Sequence, residues 1–221
     1  MIIKEFSFAE DQLHYFVGLG SLIINNLELD DIFNLIEIIQ KQHEGVMLQF
    51  FNRKLILNYN HIFYACYHTL KTFRHKKNIS NKMGIEFLLY LSADRQIKRT
   101  LENYGITIHN IKQGTIDFCV ISNSNNLEKV RMDLLKETNA EEIDLNLGKD
   151  SYDKYERIKD YFEIKENQIK AVLKSYRILT DDTKPTKNNI GDFYLALEDL
   201  ICEKMVLLSL EKTSYELESA E

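Results

Sequence analysis

The spacing of apolar residues changes period several times along the chain, and each change predicts an element. Leu13 to Ile24 alternates weakly between apolar and polar positions, with Gly18 and Gly20 inside it, and reads as a strand. Ile32, Leu35, Ile36 and Ile39 then recur at helical spacing, which predicts a helix capped at Asp30 or Asp31 and running to about Gln42. Val46 to Phe51 is a strand candidate, and Leu55-Ile56-Leu57 a shorter one. Asn60 suits the cap of a helix to about Phe73, with Ile62, Cys66, Leu70 and Phe73 on one stripe. A polar turn over 78–82 leads into the run Met83 to Leu91. Periodicity alone cannot separate a buried helix from a buried strand there; Glu86 and Tyr90, four residues apart, favour a helix.

Ser92 is a natural cap for the next helix, with Asp94 in its first turn. Its expected buried stripe is Ile97, Leu101 and Tyr104, its expected left-handed terminator Gly105, and its opposite face Arg95, Lys98, Arg99 and Glu102. Thr115 to Ser122 is a strong strand, 127–137 a helix and 143–147 a short extended stretch. Helices follow at about 152–162 and 166–178. Residues 180–191 hold the only proline, Pro185, among polar residues and predict a loop. The last helix spans about 193–211 on a stripe of Phe193, Leu197, Leu200, Ile201, Met205 and Leu208. No internal repeat interrupts this order.

Composition adds a core and a charge asymmetry. The 221 residues are 44% hydrophobic and 11% aromatic, enough for one large domain or one domain with an appendage. The formal net charge is −6, yet residues 71–99 carry eight basic residues against Glu86 and Asp94. That segment nets +6 and the remainder −12. A basic island in an acidic protein can attract a polyanion locally; it can equally be a solvated face with lysines favouring a helix C-terminus. Cys66, Cys119 and Cys202 are far apart and lack a CxxC pair, which suits a reducing compartment. The charged N-terminus argues against a leader, and the uncharged run Gln12 to Leu27 is too short and too polar for a membrane helix. A soluble, cytoplasmic protein is the expectation.

Catalytic signals are thin. Gly18-Leu19-Gly20 lacks the third glycine of a dinucleotide fingerprint, since position 23 is Ile23. No phosphate loop and no HExxH motif occurs. His61, His68 and His75 are spaced by seven, about 10.5 Å per step on a helix, too far for two of them to share a metal. Neither His61 nor His68 is three or four residues from Cys66, so no helical Cys–His pair is implied. Glu141 and Glu142 read as solvated acids. A binding role without cofactor or metal is expected, with an enzyme or binding protein for a small anionic metabolite as the alternative and a purely protein-binding regulator as a third reading.

Three blocks, NHIFYACYHTLKTF, GIEFLLYLSADRQIKRTLENYGI and ALEDLICEKMVLLSLE, resemble the kinase-binding small subunit of the KEOPS complex (the TPRKB family), its archaeal branch most closely. The specific features are Glu86, Leu91-Ser92, Arg95-Gln96-Ile97 and Gly105-Ile106. The likeness spans most of 13–125 and again about 193–211; it weakens over 126–192, where 179–192 looks like an inserted loop. The resemblance implies one α/β (α+β) domain over 1–221, with a central mixed β-sheet flanked by helices. It also implies a non-enzymatic subunit that binds the complex's small atypical kinase/ATPase and tRNA, including its 3′ CCA end, and meets the other KEOPS subunits indirectly. The complex makes N6-threonylcarbamoyladenosine (t6A) in tRNA. On that reading Arg95 and Gln96 contact the terminal nucleotides. Lys98 and Arg99, with Lys71, Arg74, Lys76, Lys77 and Lys82, follow the acceptor stem. Leu200, Met205 and Leu208 on the last helix face the kinase.

Overall fold

Alternation in the strands sends side chains to two opposite cores, and helices cover both. The computed structural model describes residues 1–8, 13–178 and 184–218, the last eight as backbone helix. Strands β1 (Ile2–Phe8), β2 (Leu13–Ile23), β3 (Val46–Phe51), β4 (Thr115–Ser122) and β5 (Glu141–Ile143) form one sheet in the order β1-β2-β4-β3. β5 pairs with the far end of β2, at Ser21 to Ile23. The class is α+β, as expected. Every pairing among these strands is antiparallel, which corrects the expected mixed sheet. The neighbours β2 and β4 run opposite ways, so no parallel crossover unit is present in this sheet.

On one face, Val17, Leu19, Met47, Phe51, Cys119 and Ile121 pack against helices α2 (Tyr59–Arg74), α3 (Met83–Ser92), α7 (Tyr152–Tyr161), α8 (Glu166–Ser175) and α9 (Ile190–Glu218). On the other, Leu22, Leu48, Phe50, Phe118 and Val120 meet α1 (Leu29–Gln42) and α6 (Leu127–Thr138). Helices α4 (Ile97–Tyr104) and α5 (Ile108–Lys112) lie between α3 and β4 in sequence. The ambiguous run is helical: Phe87, Leu88, Leu89, Tyr90 and Leu91 are each fully buried in α3. A helix apolar on every side belongs in an interior, and α3 packs between α2, α4, α9 and β3.

Several boundaries shift for local reasons. Asn58, not Asn60, caps α2, its Oδ1 accepting the His61 N–H at 3.0 Å. Leu55 to Leu57 is buried but not a strand. A 3₁₀ turn covers Arg53–Leu55; the Ile56 N–H then returns to the Arg53 carbonyl and the Leu57 N–H reaches His61 Nδ1, so no ladder forms. Ser92 closes α3 instead of opening α4; its hydroxyl pairs with the Leu89 carbonyl and with Thr100 Oγ1 at 2.8 Å. Ala93 takes the left-handed conformation (φ 47°), and the Asp94 N–H returns to Leu89 O. Gly105 is not left-handed (φ −68°); glycine fits there because a Cβ would stand 2.4 Å from the Leu101 carbonyl oxygen. On α4 the buried residues are Thr100 and Tyr104, while Ile97 and Leu101 are exposed. Strand β1 and helix α5 were not anticipated. The expected 180–191 loop falls partly outside the described residues; 187–189 form a turn, and α9 starts at Ile190.

Candidate functional site

The end of buried α3 fixes a sharp turn, and that turn forms one wall of a cleft of about 390 Å³. Ala93, Asp94, Arg95, Gln96 and Arg99 supply this wall, Tyr161 to Glu163 at the end of α7 a second, and Lys204, Leu207 and Leu208 of α9 a third. Left-handed residues turn the backbone on two sides, Ala93 (φ 47°) and Glu163 (φ 52°). Each costs conformational energy that a glycine would avoid. Both follow the same helix-ending pattern, the Ile164 N–H returning to Lys159 O as the Asp94 N–H does to Leu89 O.

The charges in the cleft are interlocked. Arg99 Nε lies 3.4 Å from Asp94 Oδ2 and its Nη2 3.6 Å from Glu163 Oε1. The same guanidinium sits 5.7 Å from the centre of the Tyr161 ring. Arg95 Nη1–H donates to the Leu208 carbonyl of α9 at 3.3 Å. Asp94 Oδ1 accepts the Gln96 N–H at 2.8 Å. Gln96 is the N-cap of α4 but makes no side-chain cap, so the first-turn N–H groups of α4 lack that partner. Burial pushes the Tyr161 phenol up to about 12 against the opposing charge of Arg99. It is therefore a neutral hydroxyl near neutral pH, and it reaches no hydrogen-bond acceptor of good geometry among the described residues. Arg95, Arg99, Lys204 and the N-terminus of α4 bring positive charge to the cleft, with the Asp94 and Glu163 carboxylates set against Arg99.

The sequence-expected basic residues divide into two groups. Arg95, Gln96 and Arg99 meet in the cleft. Lys98 is exposed on α4, outside the lining. Lys71, Arg74, Lys76 and Lys77 close α2, and Lys82 precedes α3. The ten-residue α3 separates Lys82 from the cleft by about 15 Å. Arg74 lies over the Phe8 ring at 4.0 Å, and Lys76 is left-handed (φ 54°). The loop after them is anchored from inside: fully buried Glu86 accepts N–H bonds from Ile79 (2.9 Å) and Ser80 (2.8 Å) and the Thr72 hydroxyl at 3.2 Å.

On α9 the residues expected to face a partner point inward. Leu200, Met205 and Leu208 are 6%, 0% and 4% exposed and belong to the core. Their neighbours Val206, Leu207 and Leu210 reach the surface at 40%, 48% and 57%. The signal was in the sequence: Met205 to Leu208 are four consecutive apolar residues, more than one helix face can bury. The cleft walls from Tyr161–Glu163 and Lys204 carry no motif of their own.

The remaining candidates are structural. His61 is buried with Nδ1 accepting from the Leu57 N–H and Nε2 donating to the Leu91 carbonyl. His68 stacks on Tyr90 at 5.4 Å. Burial lowers both imidazoles to about 4. His75 is exposed. Cys66 and Cys119 are buried free thiols with sulfurs 3.6 Å apart, and burial pushes the Cys119 thiol well up. Glu142 is not the solvated acid expected: its side chain is 6% exposed and paired with Arg131 and the Met1 amino group. Among the described residues, no helix is long and apolar enough to cross a membrane.

No curated protein matches the chain. A family model does: the one described as kinase binding protein CGI-121 matches residues 29–209, which bridges the 126–192 interval where the sequence blocks fall silent. The chain belongs to the CGI-121 family of kinase-binding proteins.

Proposed function

We propose that the chain is a non-catalytic, cytoplasmic subunit of a KEOPS complex of the archaeal kind. In this role it docks the complex's small atypical kinase/ATPase and holds tRNA, including the 3′ CCA end, in support of t6A formation. The observation that carries the reading is the cleft: Arg95, Gln96 and Arg99, singled out from one stretch of sequence, stand together around a cavity that takes Lys204 from α9 as well. A single-stranded RNA end is held by phosphate contacts with bases lodged on apolar or aromatic faces. Arg95, Lys204 and the α4 N-terminus suit the phosphate, and Tyr161, Phe162 and Leu207 suit the base. Lys98 and the α2-end group, Lys71, Arg74, Lys76 and Lys77 with Lys82, suit the duplex stem farther away.

The kinase is assigned to the outward apolar face of α9, Val206, Leu207 and Leu210, in place of the buried Leu200, Met205 and Leu208. Aliphatic side chains this exposed on one helix face fit the desolvated centre of a protein interface.

Charge reversal tests the RNA half. Lys76→Glu with Lys77→Glu, and separately Lys98→Glu, should each weaken tRNA binding and flatten its dependence on salt, by roughly 0.7–0.9 in the log–log slope for each phosphate no longer neutralised. An unchanged slope for both variants refutes the assignment of these residues. Binding of a small phosphate compound with no affinity for tRNA would instead favour the small-anion reading.

A further inference from the structure

Another cavity, of about 740 Å³, lies at the end of the sheet where β3 stops and β4 begins. It shares no residue with the cleft, and its size suits a metabolite. The turn after β3 lines it with Asn52, Arg53 and Lys54, α4 with Glu102, α5 with Asn110 and β4 with Asp117. Asp117 is the unusual member. It is 3% exposed, accepts the Ser21 hydroxyl at 2.6 Å and stands 2.9 Å from Arg53 Nε. Burial pushes its carboxyl up, against the Ser21 hydrogen bond and the Arg53 charge. Burying an ion pair costs desolvation, and apolar residues of similar size often stabilise a fold as well. What the pair supplies here is a guanidinium held in place. Asp117 fixes Arg53 at Nε, and Nη1–H donates to the Asn146 carbonyl at 2.9 Å. A guanidinium has five N–H groups, more than one carboxylate and one carbonyl occupy.

Two asparagines of the lining are turned to the same sense. Asn52 Oδ1 accepts the Lys54 N–H at 3.0 Å. Asn110 Oδ1 accepts both the N–H and the hydroxyl of Thr107, at 3.0 and 2.7 Å. The turns consume the amide oxygens and leave the two Nδ2 groups as donors. Charge in the cavity is nearly balanced, Asp117 against Arg53 and exposed Glu102 against exposed Lys54. Recognition there rests on the sense of the hydrogen bonds more than on net charge, and that sense is donor-rich. We propose that this cavity binds a small metabolite through an oxyanion, a phosphate monoester or a carboxylate, seated among Asn52, Arg53 and Asn110. A fixed guanidinium fork matches either group in shape as well as charge. Half-buried Ile106 gives the body of the ligand an apolar contact.

The test is isothermal titration calorimetry of the full-length chain with ribose 5-phosphate and with succinate, at low salt and near neutral pH. Saturable binding of at least one probe is expected, with a Kd of about 1 mM or tighter. Tighter ribose 5-phosphate assigns the site to phosphate monoesters, and tighter succinate assigns it to carboxylates. Asn52→Asp and Asn110→Asp keep the Oδ1 atoms that the turns use and exchange each Nδ2 donor for a carboxylate oxygen. Each should weaken binding about tenfold or more while moving the ligand-free thermal midpoint by less than about 3 °C. Arg53→Lys keeps a cation beside Asp117 but loses the fork, and should weaken binding by a similar factor. Arg95→Gln, in the cleft, should leave it unchanged. Failure of both probes to bind overturns the proposal and leaves the RNA reading standing. Binding that survives both asparagine changes, or that Arg95→Gln abolishes, places the anion elsewhere and overturns it too.

Discussion

Replacing Glu86 with alanine takes the acceptor away from at least three donors at once. The Ile79 and Ser80 N–H groups, at 2.9 and 2.8 Å, lie in the loop after α2 and lose their partner. The Thr72 hydroxyl loses less, because it also reaches the His68 and Thr69 carbonyls. Hydrogen bonds to a carboxylate contribute about 1.5–3 kcal/mol each, and water can enter the half-buried loop to recover part of that. Adding the void left by a fully buried side chain, Glu86→Ala should destabilise the fold by about 3–5 kcal/mol. Glu86→Gln keeps the shape and one acceptor oxygen and should cost only about 1 kcal/mol. Urea unfolding reads the difference. With a slope near 2 kcal/mol per molar, the midpoint should fall by roughly 1.5–2.5 M for alanine and about 0.5 M for glutamine. Midpoints for the two variants within about 0.3 M of each other would refute the claim that this carboxyl group anchors the basic loop.

Three further outcomes follow from named interactions. His61 and His68 have folded values near 4 against 6.5 unfolded, so their contribution is complete above pH 6.5 and is lost as pH falls toward 4. Stability should drop by about 1.4 kcal/mol per pH unit per histidine in that window, and His68→Phe, which keeps the stack on Tyr90, should roughly halve the slope in urea titrations at pH 7, 6 and 5. Gly105→Ala places a Cβ 2.4 Å from the Leu101 carbonyl and should cost about 1–3 kcal/mol, whereas Gly191→Ala meets nothing within 4 Å in α9 and should stabilise by up to about 1 kcal/mol; thermal melts of the pair settle the sign. Met205→Ala, in the core, should lose about 2–5 kcal/mol of stability, while Val206→Ser should change stability by less than about 0.5 kcal/mol and lower kinase affinity tenfold or more in a pull-down titration.

What the sequence disclosed was mostly periodic, and what it hid was mostly tertiary. Thr115 to Ser122 was readable to the residue because alternation and β-branching agree there. Strand β1 escaped because Lys4 breaks its apolar face; in the fold the Lys4 ammonium lies over the Phe6 and Phe63 rings, at 5.4 and 4.8 Å. Ser92 looked like a cap because serine caps well, but Thr100, eight residues on, claims its hydroxyl. Half of the cleft was legible, since Arg95, Gln96 and Arg99 sit within five residues. The other half comes from α7 and α9, over sixty residues away, and no spacing rule joins them. On α9 the apolar stripe was right and its orientation was not: the residues chosen to face a partner were the ones that hold the core.

The central claim is that the cleft around Arg95 seats the end of a tRNA. The most direct measurement compares the affinity of this protein for intact tRNA with its affinity for the same tRNA lacking the last three nucleotides, at one salt concentration. The account predicts that the truncated tRNA binds at least tenfold more weakly, about 1.4 kcal/mol, and that substituting Arg95 with glutamine weakens intact tRNA while leaving the truncated form unaffected. Equal affinity for the two tRNAs would contradict it.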